Sequence, residues 1–356
     1  MELVGETYFN ILLNHSFLEK KEGYYVDGIR YKMHDLVHDL AAYILENELL
    51  VWKVGSKRVD FSHVRHLVFD LAENESPPET FSHWLTTRKL RTLCFRGSVP
   101  SWKNLFGSAR FVRVLIMDDL GLTEVPFFIG QLVHLRYLDL SYNDFDILPA
   151  CICKLYELQT LRIFGCSKLE PLPRELHRLE NLRHILTQDT LLASTRLRQL
   201  TNLQTLPPLE LRDGEGWTID ELGPLDQLKG EVIIRGLQHV KNKEEARQAG
   251  LGRKDKIVKL HLQWRDDREA VSQVNNDEDV LDSLEPHSNL QSLYVDMFMG
   301  VRFPWWIMTA HMNLVEVRLL RCLRCLELPS LGQLPLLRIL MVGMLDDLEC
   351  IGETFY

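Results

Sequence analysis

A chain of 356 residues can bury a substantial core, and a net charge of −9 argues against a large nucleic-acid footprint, which needs a basic surface. Hydrophobic residues at 46% and charged residues at 26% fit a soluble globular protein, and no uninterrupted apolar run reaches the length of a membrane span. The opening MELVGETYFN places Glu2 and Glu6 where a signal peptide would carry basic residues, and the seven cysteines lack small-domain spacing. The expected location is cytoplasmic or nucleocytoplasmic.

Residues 1–50 do not repeat. Phe9, Leu12, Leu13 and Phe17 fall at helical spacing on one face. In GYYVDGIRYKM, Asp27-Gly28 sits between two aromatic, β-branched arms, a hairpin signal because Asp-Gly accepts the positive φ angles of a type I′ turn. HDLVHDLAAYILEN then reads as a helix with Asp35 as N-cap and Leu36, Leu40, Tyr43 and Ile44 as packing positions. Helix, hairpin and helix form the closing part of a winged-helix domain. It carries little basic excess, which favours packing over DNA binding. Residues 51–63 read as a linker.

From Val64 one phrase returns: VRHLVF, LRTLCF at Leu90, VRVLIM at Val112, LRYLDL at Leu135, LQTLRI at Leu158, LRHI at Leu182 and LQTL at Leu203. Successive starts from Leu90 to Leu203 lie 22, 23, 23, 24 and 21 residues apart, the period of a leucine-rich repeat. Alternating apolar residues turn one face of a short strand inward. Asn143, Cys166 and Cys322 then occupy the ladder position that satisfies buried backbone groups as the chain turns away. The return legs VPFFIGQL, LPACICKL and LPRELHRL share a proline after an apolar anchor. The expected fold is an α/β repeat: a curved leucine-rich-repeat solenoid over residues 64–356, about twelve repeats with a parallel concave sheet, preceded by the partial winged helix. The repeats are irregular between 207 and 289, where NKEEARQAG reads as a short helix ending at Gly250. WRDDREAVSQVNNDEDV reads as an acidic loop.

Residues between the buried leucines should face outward on the concave side. Tyr137, Asp139, Tyr142, Arg162, Phe164, Trp264, Tyr294 and Arg318 are therefore candidates for protein binding, since aromatics and arginine anchor interfaces. Cys151/Cys153 and Cys322/Cys325 belong to repeats seven strands apart, roughly 34 Å at ~4.8 Å per strand, and are not expected to share a metal. No nucleophile, base and orienting group stand in a recognisable order, so no enzyme is expected.

YKMHDLVHDLA, with HSFLEK upstream and VRHLVF downstream, resembles the end of the nucleotide-binding region of plant NB-ARC leucine-rich-repeat disease-resistance receptors. Met33-His34-Asp35 matches their MHD motif. LPACICKLYELQTLRIFGCSKLEPLP and LPSLGQLPLLRIL are similar to their repeats, and LKGEVIIRGLQHVKNKEEARQAGL resembles a segment of the coiled-coil class, especially in grasses. The likeness covers essentially the whole chain. It implies that His34 contacts the β-phosphate of ADP, with Asp35 fixing the turn and capping the helix. The family's phosphate loop, G-x-x-x-x-G-K-[ST], is not found in this sequence. The chain alone is therefore expected to hold no nucleotide cofactor, with ADP or ATP belonging to a full-length receptor of which it would be a fragment or shortened product. The implied partners are a pathogen effector, a guarded host protein or the receptor's own NB-ARC core. The alternative is a constitutive scaffold, adaptor or decoy without a nucleotide switch.

Overall fold

The computed structural model describes residues 2–21, 30–53, 61–70, 87–97, 109–169, 172–187, 196–212, 216–265, 276–309 and 313–349. At the start, α1 (Glu2–Asn14) leads into β1 (Leu18–Lys20), which pairs antiparallel with β2 (Tyr31–Met33), Leu18 opposite Met33. The Asp27-Gly28 turn lies outside the described residues. Phe9 packs edge-on against Tyr31 with ring centroids 4.9 Å apart.

The second helix, α2 (Asp35–Ile44), differs from expectation in two ways. Asp35 is its first helical residue rather than its cap. His34 is the cap, its Nδ1 accepting from the Leu36 N–H at 3.3 Å. Asp35 instead pairs with Lys32 at 3.0 Å, and its carboxyl is held below the ordinary range by the hydrogen bond and charge of that lysine. The expected packing face is also uncovered among the described residues: Leu36 is 75% exposed and Tyr43 76%.

The repeats build two parallel sheets, each in chain order. The first holds β3 (Leu49–Lys53), β4 (His66–Asp70), β5 (Thr92–Arg96), β6 (Val114–Ile116), β7 (Tyr137–Asp139), β8 (Thr160–Arg162) and β9 (His184–Leu186). The second holds β10 (Leu209–Glu210), β11 (Gly230–Arg235), β12 (Ile257–Gln263), β13 (Ser292–Asp296), β14 (Glu316–Leu320) and β15 (Ile339–Gly343). The sheet thus begins before Val64: β3 takes in residues assigned to a linker and pairs with β4, seating Trp52 against Phe69 at 5.7 Å. LLVWK carries no leucine phrase of the later kind, which hid it.

Register makes the core. Leu67, Leu93, Leu115, Leu138, Leu161 and Ile185 stand opposite one another across six strands, and all are buried. Each strand alternates inward and outward residues, so every repeat adds one buried layer to the last. Where the first sheet ends, the ladder continues: Gln204 N–H donates to Arg183 O at 2.7 Å and Lys229 N–H to Gln204 O at 2.9 Å.

The turns out of the strands are held by side chains. The Oδ1 of Asn143 accepts from Leu120 N–H (3.1 Å) and Leu122 N–H (3.0 Å), while its Nδ2 donates to Met117 O and Leu140 O at 2.8 Å. Cys166 and Cys322 stand in the same place and offer only thiol contacts, to Leu140 O at 3.3 Å and Leu320 O at 3.4 Å. A second set of staples lies ahead of the strands. Asn181, Asn202, Asn289 and Asn313 donate to the carbonyls of Tyr156, Glu180, Asp255 and Ser288 in the preceding repeats.

The return legs Phe127–Gln131, Ala150–Lys154 and Arg174–Arg178 are short 3-10 helices entered through Pro126, Pro149 and Pro173. There the missing N–H costs nothing, because the first turn has no partner for it. In the irregular region α3 (Lys243–Arg247) is capped by Asn242, whose Oδ1 accepts from Glu245 N–H at 2.9 Å. Gly250 supplies a left-handed φ of 61° just beyond it. Of the acidic segment expected to be a loop, residues 266–275 lie outside the described residues, and its end is instead helical, Asp277–Ser283 forming α4. A last short helix, α5, spans Trp306–Thr309.

Replacing Asn143 by alanine strips two buried N–H groups and several carbonyls of their partners at once. The expected cost is roughly 3 kcal/mol, each orphaned group contributing ~1–3 kcal/mol. A lowered urea midpoint with an unchanged m-value would report it.

Candidate functional site

Adjacent parallel strands put equivalent positions side by side, so the outward residues of neighbouring repeats meet. Tyr137 stands opposite Thr160 and Asp139 opposite Arg162 across β7 and β8. Asp139 Oδ2 takes the Arg162 Nη1 at 3.0 Å and, more loosely, the Tyr137 hydroxyl at 3.4 Å. Its Oδ1 accepts from the Ser141 hydroxyl at 2.6 Å and the Ser141 N–H at 3.0 Å. Ser141 Oγ in turn accepts the Phe164 N–H at 3.1 Å. Asp139 lies on the outer face as expected, but it is 3% exposed. It is the support beneath the surface rather than a contact residue.

Above that support sit the side chains a partner could touch. The Arg162 guanidinium lies 5.9 Å from the Phe164 ring centroid, and Tyr142 meets Phe164 edge-on at 6.1 Å. Tyr142 has a left-handed φ of 56° and is 40% exposed. Its ring occupies the space over Gly165, where a Cβ would stand 2.6 Å from Tyr142 Cδ1. Tyr137, Asp139, Tyr142, Arg162 and Phe164 therefore form one cluster: a fixed arginine and three aromatic rings, held from below by a carboxylate.

The electrostatics follow from burial and crowding. Tyr137 is pushed up to about 12, chiefly by burial and then by the Asp139 charge. Burial, followed by Asp139, also raises the carboxyl of neighbouring Asp118. The site offers no activated nucleophile. The Cys94 thiol on the same face is raised by burial.

Tyr294 and Arg318 pair across β13 and β14 in the second sheet, a separate cluster. His261 meets Tyr294 edge-on at 5.1 Å, and Glu316 accepts from Arg318 Nε at 2.7 Å and Ser292 Oγ at 3.0 Å. Beside them Arg321 forks onto Asp296, with Nε to Oδ1 at 2.8 Å, and Gln263 reaches the same carboxylate at 3.0 Å. Sequence reasoning missed Arg321, although aligning LRYLDLSYN with LVEVRLLRC puts it in the column of Tyr142. Trp264 was placed wrongly. It is 0% exposed and packs on Phe298 at 5.3 Å. The alternation that buries Leu260 and Leu262 buries the residue two further on.

His34 stands apart on α2. Its Nδ1 accepts a backbone N–H, so the neutral ring carries its proton on Nε2, from an exposed side chain. One imidazole donor, beside a lysine already paired with Asp35, does not by itself make a nucleotide site among the described residues. Among the described residues no group of three or more His, Cys, Asp or Glu is placed to hold a metal. Burial raises the Cys322 thiol to about 12 and the Cys153 thiol to about 11. Within the same residues no helix is long and apolar enough to cross a membrane.

Comparison with known proteins gives matches at both ends of the chain. Residues 1–41 match the disease resistance protein winged-helix domain, residues 219–345 the R13L1/DRL21 leucine-rich repeats, and residues 134–155 a leucine-rich repeat. Disease resistance RPP13-like protein 1 of Arabidopsis thaliana is 31% identical over the whole chain, which covers 35% of that protein. Disease resistance protein RGA2 of Solanum bulbocastanum is 32% identical over 89% of the chain and 30% of its own length. The chain thus spans about a third of the relatives it matches. Among solved structures, a leucine-rich-repeat protein of Leptospira interrogans superimposes with a TM-score of 0.51 at 20% identity, covering 80% of this chain and 74% of that one. The plant peptide hormone receptor RGFR1, in complex with RGF2, gives 0.52 at 20% identity over 83% and 49%. These two likenesses establish the repeat fold.

Two outcomes test the cluster. Tyr137 keeps its proton more tightly folded than unfolded, so it supports folding below pH 10 and that support fades as pH rises through about 12. The melting temperature of the wild type should fall more steeply between pH 10 and 12 than that of Tyr137→Phe. Asp139→Ala should cost roughly 3 kcal/mol in chemical denaturation, because it leaves Arg162 and Ser141 without their acceptor.

Proposed function

Since the chain is homologous to plant disease-resistance proteins, with their winged-helix segment and their R13L1/DRL21-type repeats, we propose that it is the recognition and restraining part of an intracellular plant immune receptor. The observation that carries the reading is the cluster of Tyr142, Phe164 and Arg162 locked onto buried Asp139 on a leucine-rich-repeat sheet. A guanidinium fixed by a buried carboxylate and flanked by rings loses little conformational freedom on binding, the property of an interface anchor. The partner is a protein: a pathogen effector, a guarded host protein or the receptor's nucleotide-binding core.

The repeats hold that core in its resting state, and effector contact releases it by shifting the population toward the active state. His34 supports the same reading, since its exposed Nε2–H, at the head of α2, suits a phosphate held by such a core. The chain itself is a binding protein and catalyses no reaction. The resemblance of residues 228–251 supports the coiled-coil class and a grass-type ancestry.

Co-expression with a nucleotide-binding region tests this in plant tissue. The two should co-precipitate before infection, and the Tyr142→Ala, Arg162→Ala, Phe164→Ala triple variant should remain folded but lose the response to the effector. Absence of association with and without infection would sink the restraining role and leave a scaffold or decoy.

A further inference from the structure

The strands of the first sheet all enter from one side, and in four repeats the residue after the entering apolar position is Arg65, Arg91, Arg113 and Arg136. Their main chains are tied in series. The N–H of Arg91 donates to Arg65 O, that of Arg113 to Arg91 O and that of Arg136 to Arg113 O, each at 2.8 Å. The side chains are thus rooted in a row at ~4.8 Å per step, about 14 Å from first to last.

At its two ends the row is compensated. Glu48 approaches Arg65 at 3.5 Å, and Glu157 pairs with Arg136 at 3.1 Å and with the His134 ring at 2.8 Å. In the middle it is not. The guanidinium of Arg91 donates only to main-chain carbonyls, those of Arg88 at 2.6 Å and Leu90 at 3.0 Å, and exposed Arg113 has no acceptor among the described residues. Arg88, Lys89 and Arg110 add three exposed cations. Arg88 lies over the Phe111 ring at 5.9 Å, and that ring stacks on His134. Lys89 Nζ meets His63 Nδ1 at 3.3 Å above a groove of ≈ 370 Å³ shared with Arg65 and Arg91. Among the described residues of this edge, seven basic side chains stand against Glu48 and Glu157, in a chain whose net charge is −9. Such crowding is unfavourable without a counter-charge: burial, then Arg113 and Arg65, lower the affinity of Arg91 for its proton.

We propose that this strand-entry edge, distinct from the concave cluster, docks an acidic helical segment of a partner protein. Spacing selects the helix. Glutamates one turn apart recur every ~5.4 Å, close to the ~4.8 Å step of the arginines, so several pairs can form together. Same-face residues of an extended segment recur every ~6.8 Å and fall out of step within the row.

The test uses the full chain and fluorescence anisotropy with a labelled helical peptide carrying glutamates alternately three and four residues apart, which keeps them on one face at close to one per turn. A peptide of equal composition with those glutamates on different faces is the comparison. The one-faced peptide should bind at least about tenfold more tightly, and its affinity should fall as salt rises. Arg91→Glu with Arg113→Glu should weaken it at least about tenfold without changing the circular dichroism, and Arg247→Glu on α3 should leave it unaltered. If the reversal variant fails to fold, Arg91→Gln with Arg113→Gln serves instead. Equal binding of the two peptides, unaltered binding by the edge variants, or capture of tripolyphosphate but neither peptide would overturn the proposal.

Discussion

One hydrogen bond per repeat governs this molecule: the main-chain N–H just past the entering apolar residue, donated to the carbonyl one repeat back. Arg91 to Arg65, Arg136 to Arg113, Arg183 to Gln159 and Arg338 to Val315 all repeat it at 2.8 Å. It fixes the spacing between coils, and everything stacked on a coil inherits that spacing. The buried leucines align because of it, the outward columns align with them, and like residues in successive repeats become neighbours. A side chain on such a scaffold acts in rows, and its nearest partner is commonly more than twenty residues away in sequence. The turn out of the strand carries the strain of this regularity. Asp119, Tyr142, Met297, Arg321 and Met344 all hold left-handed φ angles there, where a residue with a Cβ costs roughly 1–2 kcal/mol.

The repeat fold was legible because its information is local and multiplied. Alternation within LRYLDL shows which residues go inward, and eleven near-copies make chance agreement untenable. Asn143 was legible for the same reason, since the column has a known donor and acceptor requirement. What stayed hidden depended on single, unrepeated comparisons. Trp264 was grouped with the outward residues between the buried leucines, yet counting two residues on from Leu262 places it inside. The capping role at His34-Asp35 went to the commoner capping residue. Whether ring or carboxylate takes the Leu36 N–H depends on which residue the helix starts from, and the helix begins at Asp35. Asp139 was recognised as outward, but its burial follows from Arg162 and Tyr137 closing over it, which composition cannot show. The asparagines ahead of the strands were visible as a recurring Asn-Leu pair and were passed over because they fall just outside the leucine phrase.

Two chemically different surfaces arise from the same few repeats. On the outward face of β7 and β8, Arg162 is neutralised by Asp139, and the aromatic rings are half-buried, with Tyr142 exposed. At the entry edge of the preceding repeats, charge is left uncompensated. A partner approaching the first is selected by shape and stacking, with little dependence on salt. One approaching the second is drawn by a field that salt screens over ~10 Å. The uncovered face of α2 adds a third, apolar region. These surfaces need not compete, and a solenoid can engage partners on each without repacking its core.

The asparagine staples have a mechanical consequence. They occur at Asn181, Asn202, Asn289 and Asn313, whereas the equivalent positions earlier in the chain hold His63, Lys89, Phe111, His134 and Glu157. Each staple resists the prying apart of adjacent coils just ahead of the backbone ladder, worth about 0.5–1.5 kcal/mol. The early coils brace the same position by other means: Lys89 meets His63, Phe111 stacks on His134, and His134 pairs with Glu157. The two kinds of brace answer differently to salt: the charge-assisted pair at Glu157 is screened, whereas the neutral asparagine staples are not.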